Sequence, residues 1–139
     1  MKNTGKKSEE IFEDHWGRIG KTAYAFRFTD AAEATGTNKR RTTIKAQPSD
    51  YIVTYLGKTF YAEVKSTVHE RLFPFSMLRK TQSAYAKFVL AAGGDYLVYV
   101  HSLHHDKWFC VPYIFINYIK GLGRASATWE ELEKFSCMM

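Results

Sequence analysis

A chain of 139 residues is long enough for one domain with a real core, and 45% hydrophobic with 16% aromatic residues excludes a disordered polypeptide. A formal net charge of +6 and a pI near 9.3 call for an anionic partner, nucleic acid ahead of a membrane surface. Two cysteines, Cys110 and Cys137, are too few for a disulfide framework or a Cys-based zinc site, and no apolar run approaches the roughly 18–20 residues of a membrane helix.

The predicted elements begin after a polar, flexible lead of residues 1–7, which lacks the apolar core of a secretory signal. Ser8 is a plausible N-cap, Glu9 and Glu10 suit a first helical turn, and Ile11, Phe12, His15, Trp16 and Ile19 recur at helical spacing until Gly20. Tyr24–Phe28 reads as a short strand. Periodicity then disappears from Thr29 to Lys45, where Lys39, Arg40, Arg41 and Lys45 form a basic run. Such a run is either a solvated face or a set of phosphate contacts that position a protein on nucleic acid without reading its sequence.

Gln47–Thr67 (QPSDYIVTYLGKTFYAEVKST) reads as a β-hairpin turning at Gly57-Lys58. That turn pairs Leu56 with Thr59, Ile52 with Glu63, and Asp50 with Lys65. Alternation places Tyr51, Val53, Tyr55, Phe60, Ala62 and Val64 on a core-quality face. Asp50, Glu63 and Lys65 gather on the other.

Beyond the hairpin, residues 68–75 are irregular around Arg71 and Pro74. Ser76 is the expected cap of a helix over Met77–Ala92, stopped by Gly93-Gly94, with Arg79, Lys80, Gln82 and Lys87 on its polar side. Asp95–Ser102 and Trp108–Val111 are predicted strands around a polar turn. His104-His105-Asp106 in that turn lacks the spacing of a metal-binding pair. Pro112 opens a helix through Ile119. Thr128 and Glu131 form a capping box for a last helix over Trp129–Phe135. No repeat or linker divides residues 1–139.

The cluster on the hairpin suggests a chemistry. Two carboxylates such as Asp50 and Glu63 can hold a hard cation, Mg²⁺ or Mn²⁺, which keeps several waters and can acidify one for attack on a phosphodiester. Lys65 would steady the charge that develops, and the Val64 carbonyl is a further natural ligand. The competing reading is a solvent-facing sheet surface carrying a routine Asp50–Lys65 ion pair.

The stretch QPSDY…TFYAEVKST resembles the core motif of the PD-(D/E)xK nuclease superfamily, and most closely the RecU-type Holliday junction resolvases. Phe73-Pro74-Phe75-Ser76 followed by Gln82 is similar to that family's FPL-type segment leading into a helix with a glutamine. The strand after Gly93-Gly94 and the segment WFCVPYIFI follow its layout, and Gly5 with Glu9 matches its GxxxE opening. The likeness spans most of the chain, with motif identity concentrated in residues 47–82.

The resemblance implies an α/β fold: a single-domain, restriction-endonuclease-like core with a central mixed sheet of four or five strands flanked by helices. It makes Asp50 and Glu63 metal ligands and Lys65 the catalytic lysine. It gives Glu9 the place of the first-helix acid, with Glu10 and Glu13 as rivals, and Gln82 a supporting one. It implies a homodimer that cuts four-way DNA junctions symmetrically; the cysteine usage and the lack of an apolar span or signal fit a cytoplasmic protein, in a bacterial or phage-type setting. Arg71, Arg79 and Lys80 join the 39–45 basic run as candidate DNA contacts. The alternatives are a restriction- or repair-type nuclease on linear, nicked or single-stranded DNA, and a non-catalytic basic DNA-binding module.

Overall fold

A computed structural model describes residues 4–28 and 46–139. Its order is α1 (Thr4–Ile19), β1 (Ala23–Arg27), β2 (Tyr51–Tyr55), β3 (Lys58–Thr67) and β4 (Leu72–Pro74), followed by a 3₁₀ turn at Phe75–Met77. Then come α2 (Lys80–Ala91), β5 (Tyr96–Ser102), β6 (Lys107–Pro112), α3 (Tyr113–Gly121) and β7 (Ser126–Thr128). The described chain closes with α4 (Trp129–Leu132), a 3₁₀ turn at Glu133–Phe135 and β8 (Ser136–Cys137). The basic run Lys39, Arg40, Arg41 and Lys45 lies outside the described residues.

Among the described residues the main sheet has six strands in the order β1-β2-β3-β5-β6-β8, and β4 pairs with β7 in a separate ribbon. Every pairing is antiparallel except β3 with β5, so the sheet is mixed. The expected fold class holds, with one strand more than expected: β8 adds to β6 at the carboxyl end.

The helices cover different parts of the two sheet faces. On one, Phe12 and Trp16 of α1 pack on Tyr51, Val53, Ala62, Val64, Tyr99 and Trp108. Phe12 is fully buried, its ring 4.7 Å from Tyr51 and 4.9 Å from Tyr99. On the other, Ala86 of α2 and Tyr113 and Ile116 of α3 join Phe73, Phe75, Tyr96, Val98, Val100 and Phe109 in a second core. Alternate residues of one strand serve opposite cores, as the two-residue period requires.

Three local expectations change. The helix starts at Thr4, so residues 4–7 are helical and Ser8 is not its cap. Ser8 is buried instead, its hydroxyl 2.9 Å from Nδ1 of His101. Nor does Ser76 cap a helix: the chain makes the 3₁₀ turn there, and α2 begins at Lys80 behind Arg79. The third change concerns the hairpin. It turns at Leu56-Gly57, both with positive φ (50° and 82°), as a type I′ turn demands. Tyr55 therefore pairs with Lys58, Val53 with Phe60 and Tyr51 with Ala62. The expected register is off by two residues. A two-residue slip keeps each side chain on its face, so the apolar side was expected correctly although its partners were not. The Thr128 capping box is present, with Thr128 accepting from the Glu131 N–H and Glu131 accepting from the Thr128 N–H.

Candidate active site

The corrected register matters most at the end of the hairpin. Continued one residue past Tyr51–Ala62, it sets Asp50 across from Glu63 rather than Lys65. Asp50 lies just before β2, and its Oδ2 accepts the Val64 N–H at 2.9 Å. Val64 thus meets the site through its amide N–H. The Lys65 ammonium approaches Glu63 Oε1 at 3.9 Å, so the expected Asp50–Lys65 pair is replaced by Glu63–Lys65.

Glu63 is fully buried, in the middle of β3 and flanked by β5. A buried carboxylate needs partners. Gln82 Nε2 donates to its Oε1 at 2.8 Å, and the Tyr96 hydroxyl lies 3.3 Å from its Oε2 while donating to the Pro48 carbonyl at 2.6 Å. Burial, and then the neighbouring Asp50 carboxylate, push the Glu63 pKa well above the usual carboxylate range; Lys65 pulls the other way.

Gln82 is presented by the start of α2. It is the third helical residue, and its Oε1 accepts the Arg79 N–H at 2.9 Å. One end of the amide satisfies an orphan donor of the helix and the other reaches Glu63. Helix capping therefore orients the side chain toward the sheet.

From the other face, α1 brings Glu9 toward the same point. Burial, then the Asp50 charge, raise its pKa, and Arg27, 3.3 Å from Glu9 Oε2, lowers it. Glu10 is exposed, and Glu13 accepts a 3.0 Å hydrogen bond from the Tyr51 hydroxyl. Of the three rivals, Glu9 is the half-buried one whose charge environment includes Asp50.

The structure thus brings together Asp50, Glu63, Val64, Lys65, Gln82 and Glu9. Sequence reasoning missed Tyr96 and Arg27. Nothing in DYLVYV marked Tyr96 as more than core, although Arg27 did interrupt the apolar pattern of its strand. Arg71, Arg79 and Lys80 are all exposed. Arg79 stands three residues before Gln82, and Lys80 borders a groove of about 920 Å³ with Lys87, Lys120 and Arg124.

Among the described residues no three His, Cys, Asp or Glu side chains form a metal cage. Two facing carboxylates are nevertheless the donor type that Mg²⁺ takes, since it keeps several waters and needs only one or two carboxylates. A buried Glu63 with raised pKa beside Asp50 fits such a cation, whose charge would offset both.

No protein-family model matches the sequence, and no curated protein matches it. A solved structure does. Hjc of Archaeoglobus fulgidus, a Holliday junction resolvase from an archaeal hyperthermophile, superposes with a TM-score of 0.51 over 78% of this chain and 76% of its own. The two share the fold. Their sequences are 14% identical, so the similarity to Hjc lies in the path of the chain rather than in its residues. No helix among the described residues is long and apolar enough to cross a membrane.

Proposed function

We propose that this chain is a divalent-metal-dependent DNA endonuclease that resolves four-way junctions, working as a homodimer inside the cell. The observation that carries the proposal is the buried Glu63 carboxylate, facing Asp50 and beside Lys65, with Gln82 and Tyr96 holding it in place. A buried carboxyl set against a second carboxylate costs stability, and a bare sheet surface has no use for it. Similarity of fold to a Holliday junction resolvase and a net charge of +6 favour DNA as the substrate.

Asp50 and Glu63 would hold Mg²⁺ or Mn²⁺, with Glu9 in reserve behind Asp50. When bound, such a cation supplies Lewis acidity toward the phosphodiester and lowers the pKa of a nearby water. Lys65 contributes a fixed positive charge where negative charge builds on the phosphorus-bound oxygens. Gln82 and Tyr96 fix the Glu63 carboxylate and so the direction of its lone pairs. Exposed Arg71, Arg79 and Lys80, with the 39–45 basic run, would contact the DNA backbone. A compact domain carries one such site, and two symmetric cuts need a two-fold pair of them.

Gln82→Ala removes the donor on Glu63 Oε1 without touching a proposed ligand. The expected result is a loss of about 10–100-fold in cleavage or metal affinity, read as a shift of the Mg²⁺ titration midpoint.

The direct test is cleavage of a synthetic four-way junction and of a linear duplex with the same sequence, each with Mg²⁺, with Mn²⁺ and with chelator. Paired symmetric nicks in the junction, dependent on metal, are expected. Equal cutting of the duplex would point to a restriction- or repair-type nuclease. Binding without cleavage under every metal condition would leave a DNA-binding module.

A further inference from the structure

Among the described residues, the sheet carries aromatic side chains that belong to neither core. Phe26 pairs with Ile52, which pairs with Tyr61; Tyr24 pairs with Thr54, which pairs with Thr59. Arg27, one residue on, turns toward α1 and Glu9. Strand alternation therefore directs Tyr24, Phe26 and Phe28 to the opposite face, the one that bears Glu63. On that face α2 and α3 pack over β5 and β6. Tyr24 is 65% and Phe26 47% exposed. Phe26 and Phe28 meet edge to face at 5.8 Å, and half-buried Tyr61 stacks on Tyr96, the residue that also contacts Glu63.

Register ties this patch to the proposed site. The Phe28 N–H donates to the Asp50 carbonyl at 2.9 Å, so Phe28 lies in the row of the two carboxylates. Phe26 is one row away and Tyr24 two, with rows spaced by two residues, about 7 Å. Exposed aromatics in sequence along a sheet are a costly surface unless something covers them.

We propose that Phe26, Phe28 and Tyr24 form a stacking platform for unpaired nucleotides adjoining the scissile phosphate. The platform rests on the proposed nuclease site and specifies its substrate: DNA with unstacked bases beside the cut, rather than continuous duplex. Every base offers a π-face, so stacking suits a site that does not read sequence. The positive net charge suits the phosphates that accompany those bases. Continuity with the carboxylate row distinguishes this occupant from a second copy of the chain. Among the described residues the patch comprises Tyr24, Phe26, Phe28 and Ile52, bordered by Tyr61 where the core begins, whereas a stable protein interface takes about 20–30 residues a side.

The test uses the full chain in chelator, where binding is read without cleavage. The probes are a forked oligonucleotide carrying 2-aminopurine in its unpaired arm next to the branch, and the matching full duplex. Stacking should quench the 2-aminopurine emission on the fork. Phe26→Ala should abolish the quench and weaken fork binding roughly 5- to 150-fold, leave duplex binding unchanged, and be rescued by Phe26→Tyr. Phe26 and Tyr24 are exposed, so both variants should fold, and Tyr24→Ala provides a second reading with a smaller loss on the fork. Equal weakening on fork and duplex, an unchanged quench in Phe26→Ala, or a shift of the variant's sedimentation to a smaller species would overturn the platform. Failure of the nuclease proposal would appear separately, as lack of cutting with metal by a protein that still quenches the fork.

Discussion

Asp50→Ala and Glu63→Ala should each lower junction cleavage by roughly a thousandfold or more, the several kcal/mol expected when a metal-centred charge stabilisation is lost. Binding of the intact junction should persist, because neither side chain is among the exposed cations that would meet the backbone. The two should not behave alike in stability. Asp50 is half-buried and caps the Val64 N–H, so its removal strands a donor in the sheet. Glu63 is a buried carboxyl whose ionised form burial and Asp50 disfavour, and Glu63→Gln keeps its shape and hydrogen-bonding capacity with no charge to suppress. We expect Glu63→Gln to be inactive and to melt above the wild-type apoprotein. Retained cleavage at normal metal by either alanine variant would sink the two-carboxylate mechanism.

Stability of the metal-free protein should fall as the pH rises. Burial and Asp50 raise the folded-state pKa of Glu63 above its unfolded value. Between those two values the folded chain holds a proton that the unfolded chain has released, so the slope of unfolding free energy with pH is negative. The contribution is complete below the ordinary glutamate range and lost as pH climbs through the folded value. Each pK interval separating the states is worth about 1.4 kcal/mol, or roughly 3–5 °C in Tm per kcal/mol for a chain of this length. Glu9 acts in the same direction, while His101, whose pKa burial lowers, acts oppositely. Comparison with Glu63→Gln isolates the Glu63 share. In chelator, the wild type should lose Tm between pH 5.5 and 8.5 more steeply than Glu63→Gln. Mg²⁺ or Mn²⁺ should restore more at pH 8.5 than at 5.5, since only the ionised carboxylate binds it. Parallel Tm profiles for wild type and Glu63→Gln would contradict the raised Glu63 pKa.

Much of the site was legible in the sequence because strand alternation is a strong rule. It put Asp50, Glu63 and Lys65 on one face whichever partner each had. It could not fix the partners, since a two-residue slip leaves the same residues on the same face. The turn decided that, and Leu56 in a left-handed conformation is a choice that few sequence signals announce. Gln82 was suggested by resemblance; its orientation depends on α2 starting at Lys80, where Arg79 offers no customary N-cap side chain. Tyr96 and the Ser8–His101 contact join residues far apart in sequence, and local pattern carries no trace of such pairs. The six-stranded sheet exceeds expectation through β8, whose two residues are too short to show alternation.

The one parallel pairing among the described residues, β3 with β5, bears on the order of assembly. Asp50 and the Val64 amide are 14 residues apart and meet within a hairpin, which closes quickly. Gln82 reaches Glu63 across 19 residues and Tyr96 across 33, and both must await the crossover through α2. Such non-local contacts repay their loop-closure entropy late. A nascent chain thus displays its acids before it can aim them. For the proposed nuclease, competence to cut would then depend on the last long-range pairing to close, and so on the completeness of its own folding.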